Sequence, residues 1–200
     1  MSAPFHPYLC GRKAAEWLIN MKNLKKLTTM AILIAVSIVL VALIHFPIFP
    51  AVAFLEYDPA DISILICGFA FGPLAGLAVT AVAALLQGIT VSASSGIYGI
   101  LMHLLATGAL VGTAACLYSR HKTKKGAAVS ILCGVAAMAL VMIPANLFIT
   151  PYFMGVDRGV VAGLLPFIIL FNIIKAGING VITFFIYKKI SKLIRKFSEE

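Results

Sequence analysis

An all-α integral membrane protein, a compact bundle of six transmembrane helices with both termini in the cytoplasm, is what this sequence predicts. Three observations carry that expectation. Hydrophobic residues make up 62% of the 200 positions and charged residues only 12%, against roughly 45–50% and about 25% in soluble globular chains. So few charges cannot cover a water-soluble domain of this size. The lysines and arginines fall into three clusters, Arg12 to Lys26, Arg120 to Lys125 and Lys188 to Lys196, with only Arg158 and Lys175 outside them. Between the clusters run apolar stretches of at least the length, about 20 residues, that a helix needs to cross a bilayer core.

In chain order, residues 1–21 read as an N-terminal extension, cytoplasmic and poorly ordered. Residues 22–190 form the membrane domain, and 191–200 a basic and acidic cytoplasmic tail. Leu27 to about Phe46 is the first span, with Pro47 and Pro50 breaking its exit. Ile62 to Ser119 carries no formal charge and is far too long for one helix. If all three basic clusters face the cytoplasm, an even number of spans separates each from the next, so this run must hold three. Gly72-Pro73 and Ser92 to Gly96 supply the two turns. The first of the three helices is short unless it starts near Pro59. Gly126–Ile149 and Leu164–Tyr187 are the fifth and sixth spans. The lysine-rich start followed by Ala51-Val52-Ala53 also resembles a secretory signal with an A-x-A site. Its apolar stretch is too long for a signal core, and cleavage would discard a span that the parity requires.

Several function classes drop out. The net charge of +9 is confined to helix-flanking clusters, with no interleaved aromatic and basic residues to stack on bases. Cys10, Cys67, Cys116 and Cys133 have neither metal nor redox spacing. There is no G-x-x-x-x-G-K-[ST] phosphate loop, no H-E-x-x-H pair and no G-x-S-x-G elbow. Nothing implies a metal or a cofactor, and no nucleophile or base suggests an enzyme. Such a chain suits a binding subunit that takes its energy from a partner.

The polar residues that lipid would not tolerate point to the site. Lys175 lies near the middle of the last span, and Asn172, Lys175 and Asn179 fall on one narrow helical stripe. An ionisable group in a membrane helix costs at least a few kcal/mol and is a functional candidate by default. Glu56, Asp58, Asp61 and Asp157 are all expected in outer loops, so Lys175 should meet a loop acid, a carbonyl or a ligand oxygen. Asn146 follows Pro144 near the outer end of the fifth span, where a proline bend can turn its amide inward beside Asn172. The first outer loop, Phe54-Leu55-Glu56-Tyr57-Asp58-Pro59-Ala60-Asp61, concentrates three acids and two aromatics in eight residues. Asp58 or Asp61 can cap the second helix, while the aromatics suit a lid over a flat ligand. His103, in the fourth span, reads as a hydrogen-bonded packing residue. Small residues at four-residue spacing, Ala31 and Ala35 in the first span and Ala75, Gly76, Ala78, Ala81 and Ala84 in the third, allow close helix approach, within the bundle or to another membrane protein.

From Met21 onward, the FLEYDPADI loop, the G-P-L-A-G turn at Gly72 to Gly76 and N-x-x-K-x-x-x-N in the last helix resemble the S components of energy-coupling-factor vitamin transporters, the riboflavin-specific type above all. The resemblance implies a protein of a bacterial plasma membrane that captures riboflavin from outside. It further implies a membrane coupling subunit and two cytosolic ATPase subunits as partners. By the same resemblance Asn172 and Lys175, and Asn146 in a similar role, would hold the polar edge of the flavin, and Asp58 with its neighbours Leu55 and Tyr57 would belong to the loop that closes over it. Asn179, on the same stripe, is a further substrate-binding candidate. Ala31 and Ala35 would contact the coupling subunit. The alternatives are the same architecture for another vitamin (thiamine or pantothenate), a small integral membrane enzyme, and a structural membrane subunit.

Overall fold

The computed structural model describes residues 7–199, with side chains described for residues 23–193. Its elements run α1 (Pro7–Leu43), β1 (Phe46–Pro47), a 3-10 turn (Pro50–Val52), β2 (Glu56–Tyr57), α2 (Ala60–Phe71), α3 (Pro73–Ile89), a second 3-10 turn (Ala93–Ser95), α4 (Gly96–Arg120), α5 (Lys124–Met154) and α6 (Arg158–Glu199). The first six residues of the expected 1–21 extension lie outside the described backbone, and 7–21 continue α1 without described side chains. Residues 194–200, most of the expected tail, likewise lie outside the described side chains.

Both breaks in the long uncharged run fall at the expected places, for local reasons. Gly72 adopts φ 92°, ψ 173°, a backbone state that L side chains rarely take, and Pro73 opens α3 at a position where its missing N–H costs nothing. Gly96, at φ 53°, closes the second turn and opens α4. The Thr123 hydroxyl accepts the Gly126 N–H at 2.9 Å and caps α5. Gly155 in the left-handed conformation ends it.

Among the described residues, four helices are long and apolar enough to cross a membrane: Asn23–Leu43, Ala93–Arg120, Lys124–Met154 and Arg158–Leu193. α2 has 12 residues and α3 has 17, so α2 rises only about 18 Å. Two outer ends also differ from expectation. α5 continues five residues past Ile149 to Met154, and α6 begins at Arg158 rather than Leu164. Pro151 and Pro166 sit inside these helices without ending them; around Pro166, Val161, Leu164, Leu165 and Ile168 pack against Val52 of the loop.

Consecutive helices pack side by side, and α2 also packs on α4 and α6. Ile64, Leu65, Leu110 and Val111 lie at the apolar centre. Close approach depends on glycine. A Cβ on Gly76 would lie 2.6 Å from Val111 Cγ1 and 3.0 Å from Gly68 Cα. Leu74, Ile89, Leu132, Leu140 and Phe185 stay exposed on the outside, as a lipid-facing surface requires. The Lys26 ammonium sits over the Phe71 ring, and Phe69 stacks on Tyr118 while Tyr187 meets both rings edge-on. The basic ends of α1, α4 and α6 therefore meet the end of α2 at one pole of the bundle.

Candidate functional site

The first outer loop forms a small hairpin. Phe46 pairs with Tyr57 and Pro47 with Glu56, and the turn at Pro50–Val52 makes the tip. The tip is anchored by apolar burial: Val52 is fully buried against Val161 and Ile168 of α6, with Phe49, Leu55 and Leu164 packed around them. Phe49 meets Phe167 edge-on at 6.2 Å. The loop thus lies across the outer part of α6 as a strap.

At its base the loop is held by hydrogen bonds. The Lys175 ammonium donates to Asp58 Oδ2 at 2.6 Å, both groups being largely buried. Asp58 Oδ1 accepts the Ala60 N–H at 3.0 Å, so the carboxylate holds the first backbone N–H of α2 and pairs the lysine at once. Burial pushes the Asp58 carboxyl up, but the Lys175 charge foremost, then His103 and the hydrogen bonds from Lys175 and Ala60, hold it below the usual carboxylate range. The Asp58 carbonyl accepts from Asn179 Nδ2 at 2.9 Å. The Tyr57 hydroxyl donates to Asn179 Oδ1 at 3.0 Å. Burial first, and then the neighbouring Asp58 carboxylate, raise that hydroxyl's pKa, keeping it an O–H donor.

Asp61 departs from the expected loop placement. It lies in the first turn of α2, fully buried, accepting from Thr107 Oγ1 at 2.6 Å and from Asn179 Nδ2 at 3.1 Å. An acid is therefore present inside the bundle, because α2 begins at Ala60 and its first turn is inserted between α4 and α6.

Beneath the strap lies a cavity with about 150 Å³ open to water-sized molecules, walled by the loop, α3, α4, α5 and α6. Of the residues expected at a substrate, Leu55, Asp58, Asn172 and Lys175 line it. Tyr57, Asn146 and Asn179 do not, and their side chains are engaged elsewhere. Asn146 is fully buried; its Nδ2 donates to Met142 O at 2.8 Å and its Oδ1 accepts from Thr150 at 2.9 Å. Asn172 differs. Its Nδ2 donates to Ile168 O at 2.8 Å, while its Oδ1 takes no hydrogen bond among the described residues. Lys175 has one described hydrogen-bond partner, leaving two of its three protons for another acceptor.

Sequence reasoning missed other parts of the wall. Gln87, Ser92, Ser95, His103 and Phe171 also line the cavity. His103, read as a packing residue, contacts Thr107 at 3.4 Å and faces the cavity as well. The polar Ser92–Ser95 turn was visible as a break, and its proximity to α6 was not. A smaller adjoining cavity of about 70 Å³ shares Phe54, Leu55, Ser95 and Met102, and extends toward Ile149 and Phe153. Among the described residues no group of three His, Cys, Asp or Glu side chains is placed to hold a metal. The cavity combines apolar walls with an ammonium, a carboxylate and an open amide oxygen.

On α1, Ala31 and Ala35 are exposed beside Ile32, Val36 and Val39. Ala75, Gly76 and Ala84 of α3 instead turn into the bundle.

Comparison with known proteins adds four findings. The family model described as ECF transporter, substrate-specific component, matches residues 25–187. The chain is 32% identical to the riboflavin transporter FmnP of Bacillus subtilis (strain 168), over 87% of its own length and 96% of that protein's. It is 27% identical to the riboflavin transporter RibU of Staphylococcus aureus (strain TCH60), over 89% and 96% respectively. A solved structure of the S component of a bacterial ECF transporter matches with a TM-score of 0.74 and 26% identity, covering 86% of this chain and 98% of that one.

Proposed function

The chain belongs to the substrate-specific components of ECF transporters, and from that membership we propose that its substrate is riboflavin. It takes the vitamin from outside the cell into the cavity beneath the first outer loop. The observation that carries this reading is the polar group set into an otherwise apolar bundle: Lys175 with two uncommitted protons, Asn172 with an open amide oxygen, and the Asp58 carboxylate, all lining one cavity. A flavin ring presents acceptor-rich carbonyls and one N–H along its polar edge. Ammonium protons satisfy the first and an amide oxygen the second. Leu55, Phe54 and Phe171 offer apolar surface to the rest of the ring. Asn146 supports the wall from behind.

The protein crosses a bacterial plasma membrane six times, with its basic pole and both termini in the cytoplasm. Excess lysine and arginine at one pole and all four described acids toward the other support that orientation. α2 and α3 complete their crossings as short helices. Uptake is driven by partner subunits, a membrane coupling protein and two cytosolic ATPases. The exposed Ala31–Ala35 face of α1 is where the coupling protein docks, since small side chains let a partner helix approach closely.

The test is a fluorescence-quenching titration of the detergent-purified protein with riboflavin. Saturation at one flavin per chain is expected. Asn172→Ala should weaken binding on the order of ten- to a hundredfold, as should Lys175→Ala, each removing a hydrogen bond to a buried partner. No quenching by riboflavin would sink the substrate assignment; unchanged affinity in both variants would sink the site.

A further inference from the structure

Asn179 lies on the same stripe of α6 as Asn172 and Lys175, yet its surroundings differ from theirs. It is fully buried. A carboxamide has two N–H protons, and both are engaged: one donates to the Asp58 carbonyl at 2.9 Å, the other to Asp61 Oδ2 at 3.1 Å. Its oxygen accepts the Tyr57 hydroxyl at 3.0 Å. All three partners belong to the segment Tyr57–Asp61, some 120 positions away in sequence. No donor remains for a ligand unless one of these bonds breaks, and a buried polar group that loses its partner is costly.

We propose that Asn179 is a positioning residue: it clamps the base of the outer loop, through Tyr57 and Asp58, and thereby sets where the Asp58 carboxylate meets Lys175. The deduction rests on the flavin-binding reading for its kinetic consequence, though not for the clamp itself. The strap is held at its tip by apolar burial, where Val52 is buried against Val161 and Ile168, and at its base by polar bonds, from Lys175 to the Asp58 carboxylate and through Asn179. The tip can part from α6 by exposing side chains alone. Releasing the base would leave the Asn179 oxygen and one of its N–H groups short of partners inside the bundle, since they bond to Tyr57 and Asp58. The base is therefore the fixed end, and Asn179 acts on ligand retention through the loop.

The experiment compares Tyr57→Phe, Asn179→Ala and the double variant with the unaltered full chain in detergent. Riboflavin release is followed by stopped-flow fluorescence, and backbone hydrogen exchange across residues 46–60 is measured without ligand. Asn179→Ala should speed release on the order of tenfold and raise exchange in 46–60 selectively, while the bound-flavin absorption spectrum stays unchanged. Tyr57→Phe should do the same to a smaller extent. The double variant should be no worse than Asn179→Ala alone, because both act through one clamp. Additive effects, an altered flavin spectrum, or exchange in 46–60 equal to that of the unaltered chain would each overturn the proposal. If Asn179→Ala fails to fold, Tyr57→Phe carries the same two readouts. If the unaltered chain binds no riboflavin, the substrate reading fails while the exchange measurement still decides the clamp.

Discussion

Lys175 and Asp58 form an ion pair across 117 positions of sequence, and its worth depends on both charges being present. Breaking a buried pair by removing one partner leaves an uncompensated charge, which costs far more than the pair itself contributes. The pH dependence follows from Asp58. Its carboxyl is held below the usual range in the folded protein, so the stability it adds is fully present above its unfolded value of about 3.9. That contribution disappears as pH falls through the lower folded value. Riboflavin affinity should therefore stay level between about pH 7 and 5 and fall only below about pH 4. Quenching titrations across that range check it. A decline already between pH 7 and 5.5 would mean that a group other than Asp58, with His103 the nearest, governs the loop.

The residue scale is also where sequence reading reached furthest and stopped most abruptly. The polar stripe of Asn172, Lys175 and Asn179 follows from helical spacing alone. Spacing assigns all three the same face and cannot tell that Asn179, one turn beyond Lys175, lies behind the loop while the other two line the cavity. Asn146 shows the same limit. Its inward direction was legible from Pro144, but its bonds to Met142 and Thr150 depend on the local shape of the bent helix.

Among the elements, α4 and α5 meet at a glycine that faces the backbone of its neighbour. A Cβ on Gly134 would lie 2.7 Å from the Leu110 carbonyl oxygen and 3.1 Å from Ala114 Cβ. Backbone on the facing helix cannot turn aside as a flexible side chain can. Gly134→Ala should therefore push α4 and α5 apart and cost about 1–3 kcal/mol, seen as a drop of several degrees in the thermal midpoint in detergent. Gly177→Ala, where an added Cβ meets nothing within 4 Å, should be neutral or slightly stabilising, since alanine is the better helix former. Equal losses at both positions would show that the effect is not one of helix contact. The outer strap has a different logic. Its two-residue strands are too short to be stable alone, and burial of Val52 together with the bonds at Tyr57 and Asp58 gives them their shape.

For the molecule as a whole, the segregation of charge supports the orientation proposed above. Asp157 lies in the α5–α6 turn and Lys122 in the α4–α5 turn, at opposite poles. With the native cysteines replaced, Asp157→Cys should react with a membrane-impermeant thiol reagent on intact cells, and Lys122→Cys only after permeabilisation. The reverse pattern would invert the topology and move the cavity mouth to the cytoplasm.

The sequence by itself determined the membrane class, the helix breaks and the residues worth suspecting. Hydropathy, charge clustering, the Gly72-Pro73 turn and helical spacing are local properties, expressed wherever the chain goes. Tertiary structure alone decided that α2 is a 12-residue helix carrying Asp61 inside the bundle, that Lys175 meets Asp58 rather than another acid, and that Asn179 grips the loop. Each of these joins groups more than a hundred positions apart, or depends on how a loop folds back over a helix. A buried polar group takes whichever partner the packing brings within about 3 Å, and no pattern along the chain records which one that is.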